Sequence, residues 1–455
     1  MTYGQGERIR PNILWIMLED WCPDLSAYGT KGISTPNCDR LADEGIRYEN
    51  AFCTAPVCSS SRSAMMTGFH QNYIGAHQHR TNQKNPLPHG IKPMPVLLKE
   101  AGYFTCLMDW KTDCNFSGDL GFMGEDWRER ADGQPFFAQI TISSTHRPWQ
   151  RDAVRPIDGA DVELPPYYAD TPLARRDWAN GLEQMQICDR EIGRLLERLD
   201  SEGLSDSTLV FLIGDNGRCH IRGKQFLYDP GLHVPAIARW PGKVAPGQVN
   251  SELIQTIDIT ATILHAAGVT PSHTLHGRNL LDEGRTPRDY VFAARDKMDD
   301  THDAMRMIRG KRYKLIHNLM PERPWLQYNR YKETHYPMLA EMSVLYLDGK
   351  LTPAQSAFFA PRKPEFELFD LRTDPHETKN LAGNPELAAV QTNLLNRLNA
   401  WRESVNDAGV TVAFRRGGEP AAYPTKSAEE WGKVLERWRP WVMRPPEAGV
   451  KHPFR

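Results

Sequence analysis

Two acid-bearing pairs stand at matched places in the sequence, each directly behind a short apolar run: Glu19-Asp20 after NILWIML (12–18), and Asp215-Asn216 after TLVFLIG (208–214). Either pair alone reads equally well as a helix cap or a solvated strand end. If the two runs are neighbouring strands, three carboxylates and one amide oxygen meet at one sheet edge. An oxygen-only set suits a hard cation, Ca²⁺ or Mg²⁺, rather than zinc. The stretch APVCSSSRSAMMTG (55–68) places Cys58 at the start of what reads as a helix, where backbone N–H groups and the helix dipole favour an anion. Arg62 lies one turn further along the same face and could clamp an oxyanion with two parallel hydrogen bonds. For a lone cysteine before a serine-rich turn, a buried structural thiol is the plainer alternative. Lys111 in MDWKTDCNF and His146 in SSTHRPW follow two more apolar runs, and His220, Arg222 and Lys224 follow Asp215-Asn216. A single lysine or histidine is usually a solvated surface group. Cations recurring behind strands that also supply acids describe a metal ringed by positive charge around an anionic centre, an arrangement that stabilises phosphoryl or sulfuryl transfer.

These residues need a scaffold that delivers strand ends to one place. The apolar runs at 12–18, 104–108, 136–142 and 208–214 read as buried strands. Helical patterns separate them at 36–46, at 94–102 and from Pro172 to Gly203, where Trp178, Leu182, Met185, Ile192, Leu195, Leu196 and Leu199 approximate one face. Alternating strands and helices predict an α/β fold with a mostly parallel central sheet flanked by helices, and such sheets bind ligands beyond the carboxyl ends of their strands. The character changes near residue 290. MRMIRGKRYKLIHN (305–318) alternates around a Gly-Lys turn as a hairpin does, and EFELFDLRTDPHETKNLA (365–382) reads as strand, turn and helix start. The division expected is a catalytic α/β domain over 1–290 and a smaller α+β subdomain over 291–455 that contributes to the substrate pocket. Residues 319–364, rich in Pro, Tyr and Trp, read as a long surface excursion.

The chain has 455 residues with 55 basic against 57 acidic side chains, a balance that provides no field for nucleic acid or an anionic membrane. No window approaches a membrane span, and MTYGQGERIR lacks a signal peptide's apolar stretch, so the sequence as it stands reads as cytoplasmic, or as periplasmic or secreted if a leader was removed. Eight cysteines without a CxxC spacing read as mostly free thiols.

From Asn12 to about Leu381 the sequence resembles the type I, formylglycine-dependent sulfatases of the alkaline phosphatase superfamily. Their signature, Cys-x-Pro/Ala-Ser-Arg with a following Thr-Gly, is met by Cys58 to Arg62 and Thr67-Gly68, with Ser60 in the Pro/Ala place. The resemblance implies that a formylglycine-generating enzyme oxidises Cys58 to an aldehyde whose hydrate attacks sulfur, leaving the serines as recognition and turn context. It further implies that Glu19, Asp20, Asp215 and Asn216 hold Ca²⁺, with Mg²⁺ or Mn²⁺ as alternatives. The family more often has Asp at the position of Glu19. Arg62, Lys111 and Lys224 match cations on the sulfate, and His146 matches a histidine near the leaving group. Asp113 stands where much of the family has a histidine, and His220 is the substitute candidate for assisting proton transfer. LMDWKTDCNF, FAARDKMDDTHDAMRMIRGKRYKLIHN, MPERPW and ELFDLRTDPHETKNLA look closest to the branch of bacterial carbohydrate sulfatases and heparan N-sulfatase-like enzymes. A sulfated sugar, O-sulfated or N-sulfated, is the implied substrate, with His77, His79, Asp113, Arg295, Asp296 and His302 as candidate contacts. Two alternatives stay open: a phosphonate or phosphate ester hydrolase of the same superfamily, and a catalytically inactive protein that binds sugar sulfates.

Overall fold

In the computed structural model, which describes residues 10–282, 284–412, 414 and 425–454, the run behind the first acid pair is strand β1 (Asn12–Leu18), nearly all of it buried. Residues 1–9 of the opening decapeptide lie outside the described residues. The large sheet also contains β2 (Ile46–Phe52), β4 (Phe104–Leu107), β6 (Phe136–Ile142), β7 (Thr208–Gly214), β8 (Ala236–Arg239) and β9 (Gln248–Gln255). The remaining short strands of this part, β3 (Asn85–Pro86) and β5 (Phe116–Ser117), pair with each other. The large sheet's order is β4-β6-β1-β7-β8-β2-β9. Only β8 runs against its neighbours, β7 and β2, so the sheet is mostly parallel as expected. Central strands of such a sheet have helices over both faces, which is why β1 and β7 are apolar without alternation.

Helices α1 (Pro36–Asp43), α2 (Cys58–Thr67), α3 (Met94–Glu100) and α4 (Pro172–Ser201) flank it. Helix α4 starts where Thr171 Oγ1 accepts the Ala174 N–H at 3.1 Å and Pro172 supplies a preset φ. It stops before Gly203, whose φ of +66° suits a residue without a Cβ. Trp178, Leu182, Met185, Ile192, Leu196 and Leu199 are buried along its face, each contributing about 2 kcal/mol before chain entropy is counted. Leu195, at the margin of that face, is only half-buried.

The predicted hairpin is present. Strands β10 (Val291–Arg295), β11 (Met305–Arg309), β12 (Tyr313–Asn318) and β13 (Phe366–Asp370) form an antiparallel sheet in chain order. The helix Ala388–Ser404 covers it through Leu394, Leu398 and Trp401. The segment 319–364 departs from expectation. It folds into short helices, Arg330–His335 and Pro337–Leu347 among them, and buries Trp325, Leu326, Tyr336, Met338, Leu339 and Met342 in the main core. The helix Pro337–Leu347 packs against both α4 and the C-terminal helix Ala428–Val442, whose last carbonyl accepts from Asn180 Nδ2 of α4. That burial depends on distant partners and leaves no periodic trace in the segment. Among the described residues, no helix is long and apolar enough to cross a membrane.

Candidate active site

Strand pairing brings the two acid pairs together. β1 and β7 lie side by side with Leu18 opposite Gly214, so Glu19-Asp20 and Asp215-Asn216 leave the same edge of the sheet. The Asp20 N–H donates to Asp215 Oδ1 at 2.9 Å, and Asn216 Nδ2 donates to Asp20 Oδ1 at 2.8 Å. All four side chains are buried. The next residue must be glycine, because a Cβ on Gly217 would stand 2.1 Å from the Pro230 carbonyl oxygen. From the same edge, β6 leads to His146 and β4 to Lys111.

Helix α2 opens on Cys58, behind extended Val57, and every one of its residues is buried. Burial has to be reconciled with four serines, and each hydroxyl has a partner. Ser61 Oγ donates to the Asp215 carbonyl at 2.5 Å, Ser63 Oγ to the Ser59 carbonyl at 2.6 Å and Ser60 Oγ to the His77 carbonyl at 3.2 Å, while Ser59 Oγ meets His79 Nδ1 at 2.7 Å. Ser61 therefore seats α2 against the loop behind β7, and Ser59 and Ser60 seat it against the 77–80 segment.

Each buried carboxylate has one cation. Arg62 Nε donates to Asp215 Oδ2 at 2.8 Å, Lys224 Nζ to Asp20 Oδ2 at 2.7 Å, and Lys111 Nζ to Glu19 Oε1. Burial, offset by Arg62 and reinforced by Asp20 and Glu19, pushes the Asp215 carboxyl up to about 6. Burial acts the same way on Asp20, but Lys224 and His146 outweigh it and hold that carboxyl below the usual carboxylate range. Three carboxylates this close favour a divalent cation, and the donor set fits one. Glu19 Oε2 and Asn216 Oδ1 are buried without a hydrogen-bond partner, and ligand atoms of Glu19, Cys58 and Asp215 lie within 4.8 Å of one another. The Cys58 thiol is pushed well above its ordinary value by burial, so it is a neutral thiol and a poor nucleophile as it stands.

At the rim, His146 Nδ1 donates to the Arg147 carbonyl at 2.7 Å, which leaves Nε2 to face the Tyr331 hydroxyl at 3.1 Å and Asp20 Oδ2 at 3.4 Å. His79 Nε2 lies 3.2 Å from Asp299 Oδ1. Arg80 pairs with Asp113 at 2.9 Å and places Nη2 3.9 Å from Cys58 Sγ. Met298 packs on Val57 and Cys58, and its loop is anchored by the His79 N–H on the Lys297 carbonyl at 2.9 Å. Left-handed backbone at Asp20, Arg80, Trp110, Asp113, Arg222, Gln225 and Asp299 is concentrated in these same loops.

Cys58, Arg62, Lys111, His146, Lys224 and the four oxygen-bearing residues thus share one cluster, with His79 and Asp113 beside it. His220 does not join them. Its ring is boxed by Trp149, Trp178 and Tyr168, with Nε2 3.4 Å from Asp177, and burial pushes its pKa down to about 3. Arg295 is buried on Asp303 and Thr301, and Asp296 is buried on Arg306. His302 bonds the Phe414 carbonyl, and half-buried His77 contributes its backbone carbonyl to Ser60. Arg295, Asp296 and His302 direct these contacts into the fold rather than toward Cys58, whereas the His77 ring keeps Nδ1 buried without a hydrogen-bond partner. Sequence reasoning passed over Arg80, Asp299 and Tyr331. Arg80 closes the GAHQHR stretch and could have been weighed with its histidines, whereas Asp299 and Tyr331 arrive from distant segments with no local signal.

Residues 11–124 and 119–269 match the family model described as sulfatase. The chain belongs to the sulfatase family. Residues 217–358 match a second model, N-sulphoglucosamine sulphohydrolase, C-terminal. An ulvan-active sulfatase of Formosa agariphila is 31% identical, the match covering 88% of this chain and 76% of that protein. The human N-sulphoglucosamine sulphohydrolase is 26% identical over 88% of this chain and 91% of its own. A solved structure in complex with its substrate D-glucosamine-2-N,6-O-disulfate superposes with a TM-score of 0.65 at 19% identity, covering 88% of this chain and 99% of that one, and shares the fold. Members of the family are sulfuric ester hydrolases that generally use a formylglycine and a divalent metal.

Proposed function

We propose that this chain hydrolyses a sulfate ester or sulfamate on a sulfated saccharide, with Cys58 matured to formylglycine by a generating enzyme and Ca²⁺ held by Glu19, Asp20, Asp215 and Asn216. Mg²⁺ and Mn²⁺ share the required oxygen preference. One observation carries the reading: three cation–carboxylate pairs converge on a helix N-terminus whose cysteine is held as a neutral thiol. A thiol in that state has little use as a nucleophile, whereas the hydrated aldehyde of a matured Cys58 would supply an oxygen nucleophile, its acidity raised by a cation that Glu19, Asp20, Asp215 and Asn216 would hold. The kinship with an ulvan-active sulfatase and an N-sulphoglucosamine sulphohydrolase supports a polysaccharide-derived substrate.

The roles follow from charge and position. Arg62, Lys111 and Lys224 surround the position of the transferred group and neutralise its oxygens as charge builds there. Arg62 Nη2, buried and without a partner, is a donor in waiting for such an oxygen. His146 is fixed through Nδ1, so any added proton resides on Nε2, from which it can pass to the departing oxygen or nitrogen. Residues 1–290 supply the nucleophile, cations and metal ligands, and 291–455 complete the pocket with Asp299 and Tyr331. The test is peptide mass spectrometry across Cys58 after co-production with a formylglycine-generating enzyme, followed by turnover of D-glucosamine-2-N,6-O-disulfate and ulvan oligosaccharides. Aldehyde at Cys58 with sulfate release, both abolished in Cys58→Ala, is the expected result. Undiminished sulfate release by Cys58→Ala would sink the reading.

A further inference from the structure

Arg62, Lys111 and Lys224 each pair with one carboxylate among Glu19, Asp20 and Asp215. Arg80 is tied elsewhere. Its Nε and Nη2 donate to the two oxygens of Asp113 at 3.3 and 2.9 Å, and the same Nη2 reaches to 3.9 Å from Cys58 Sγ. Its side chain is 52% exposed against 1% for Arg62 and 5% for Lys224, so it approaches the nucleophile from the solvent side. The guanidinium is held in place by its own stretch of chain. Arg80 and Asp113 both adopt left-handed backbone, with φ of 49° and 52°. The Arg80 N–H donates to Ser59 Oγ at 3.3 Å, and the next N–H, of Thr81, donates to Asn115 Oδ1 at 3.0 Å. A guanidinium has five N–H donors: Asp113 takes two and a third points to Cys58 Sγ, which leaves two for a ligand besides the one at the nucleophile.

We propose that Arg80 is a substrate-contacting residue: its free N–H groups hold the outward oxygens of the sulfuryl group, and Asp113 positions the guanidinium for that contact. The proposal rests on the sulfatase reading. Cys58 Sγ stands in for the attacking oxygen, and a sulfuryl group approaching that atom presents its peripheral oxygens within hydrogen-bonding reach of Nη2. No proton changes hands at Arg80. The contact deepens as negative charge accumulates, and Asp113 offsets the guanidinium's charge while no substrate is bound. The carboxylate found where a histidine was expected is thereby explained as the partner of an arginine from the segment after α2.

Two measurements test this. On matured protein with D-glucosamine-2-N,6-O-disulfate and ulvan oligosaccharides, Arg80→Ala is expected to lower kcat/KM about a hundredfold, whereas Arg80→Lys, which keeps charge but not the planar fork, recovers part of it. Asp113→Asn is expected to raise KM several-fold, and Arg80→Ala combined with Asp113→Asn to be no worse than Arg80→Ala alone. Independently of turnover, calorimetric titration with inorganic sulfate in the Cys58→Ala background is expected to show about tenfold weaker binding when Arg80→Ala is added. Unchanged sulfate affinity on adding Arg80→Ala, or kcat/KM within threefold of the parent in both Arg80 variants, overturns the proposal. Absence of turnover by the unsubstituted matured protein would instead sink the sulfatase reading, and the sulfate titration would still report on Arg80.

Discussion

Replacing His220 with Phe separates two roles that the sequence left joined. The His220 ring is 3% exposed and sits between Trp149 and Trp178, with centroids at 5.1 and 4.9 Å. Arg147 and Arg218 stack on those same two indoles. Burial, with these two cations opposing the help of Asp177, lowers the His220 pKa from 6.5 to about 3. The folded state therefore resists protonating a ring that the unfolded chain protonates readily. The resulting stability is fully present above pH 6.5 and is lost as pH falls toward 3. At about 1.4 kcal/mol per unit, roughly 2–3 kcal/mol disappears between pH 6.5 and 4.5. Phenylalanine fills the same aromatic box without titrating, and Asp177 keeps its two-pronged bond to Arg147 at 2.9 and 2.6 Å. Urea denaturation at the two pH values should thus show His220→Phe losing about 2–3 kcal/mol less than the parent. Turnover of a sulfated sugar at pH 7 should stay within about threefold, whereas His146→Ala should cost on the order of 10² to 10⁴, the usual worth of an acid–base group. A hundredfold loss in well-folded His220→Phe, or a stability difference that ignores pH, would refute the reasoning.

Asp215→Asn removes a proposed metal ligand and strands Arg62, so bound calcium measured by plasma mass spectrometry should drop from about one per chain, and EDTA, which should lower the melting temperature of the parent, should barely move that of the variant. Gly217→Ala forces a Cβ into the Pro230 carbonyl at 2.1 Å, so the turn behind Asn216 must shift; melting temperature and metal content are expected to fall together, and a variant that keeps both would mean the turn has slack.

The local chemistry was legible from residue types and spacing. Apolar runs ending in polar residues predicted β1, β4, β6 and β7, because a strand buried on both faces stays mostly apolar until it emerges. Cys58 at a helix start and Arg62 one turn later follow from helical periodicity alone. Whether those strand ends meet was not legible: it required β1 to pair with β7 across nearly two hundred residues of sequence. The same limit accounts for His220. It lies in a cation-rich stretch with Lys224, yet Lys224 reaches Asp20 while His220 turns into a box of aromatic residues from other segments. Arg295 and Asp296 look like free charges in sequence, and only packing shows that Asp303 and Arg306 consume them. Residues carry their own chemistry and local conformational preference, so composition and period reveal them. Which charges remain available for a substrate is settled by long-range pairing, because a buried charge goes to whichever partner the fold brings within reach, and that partner comes from elsewhere in the chain.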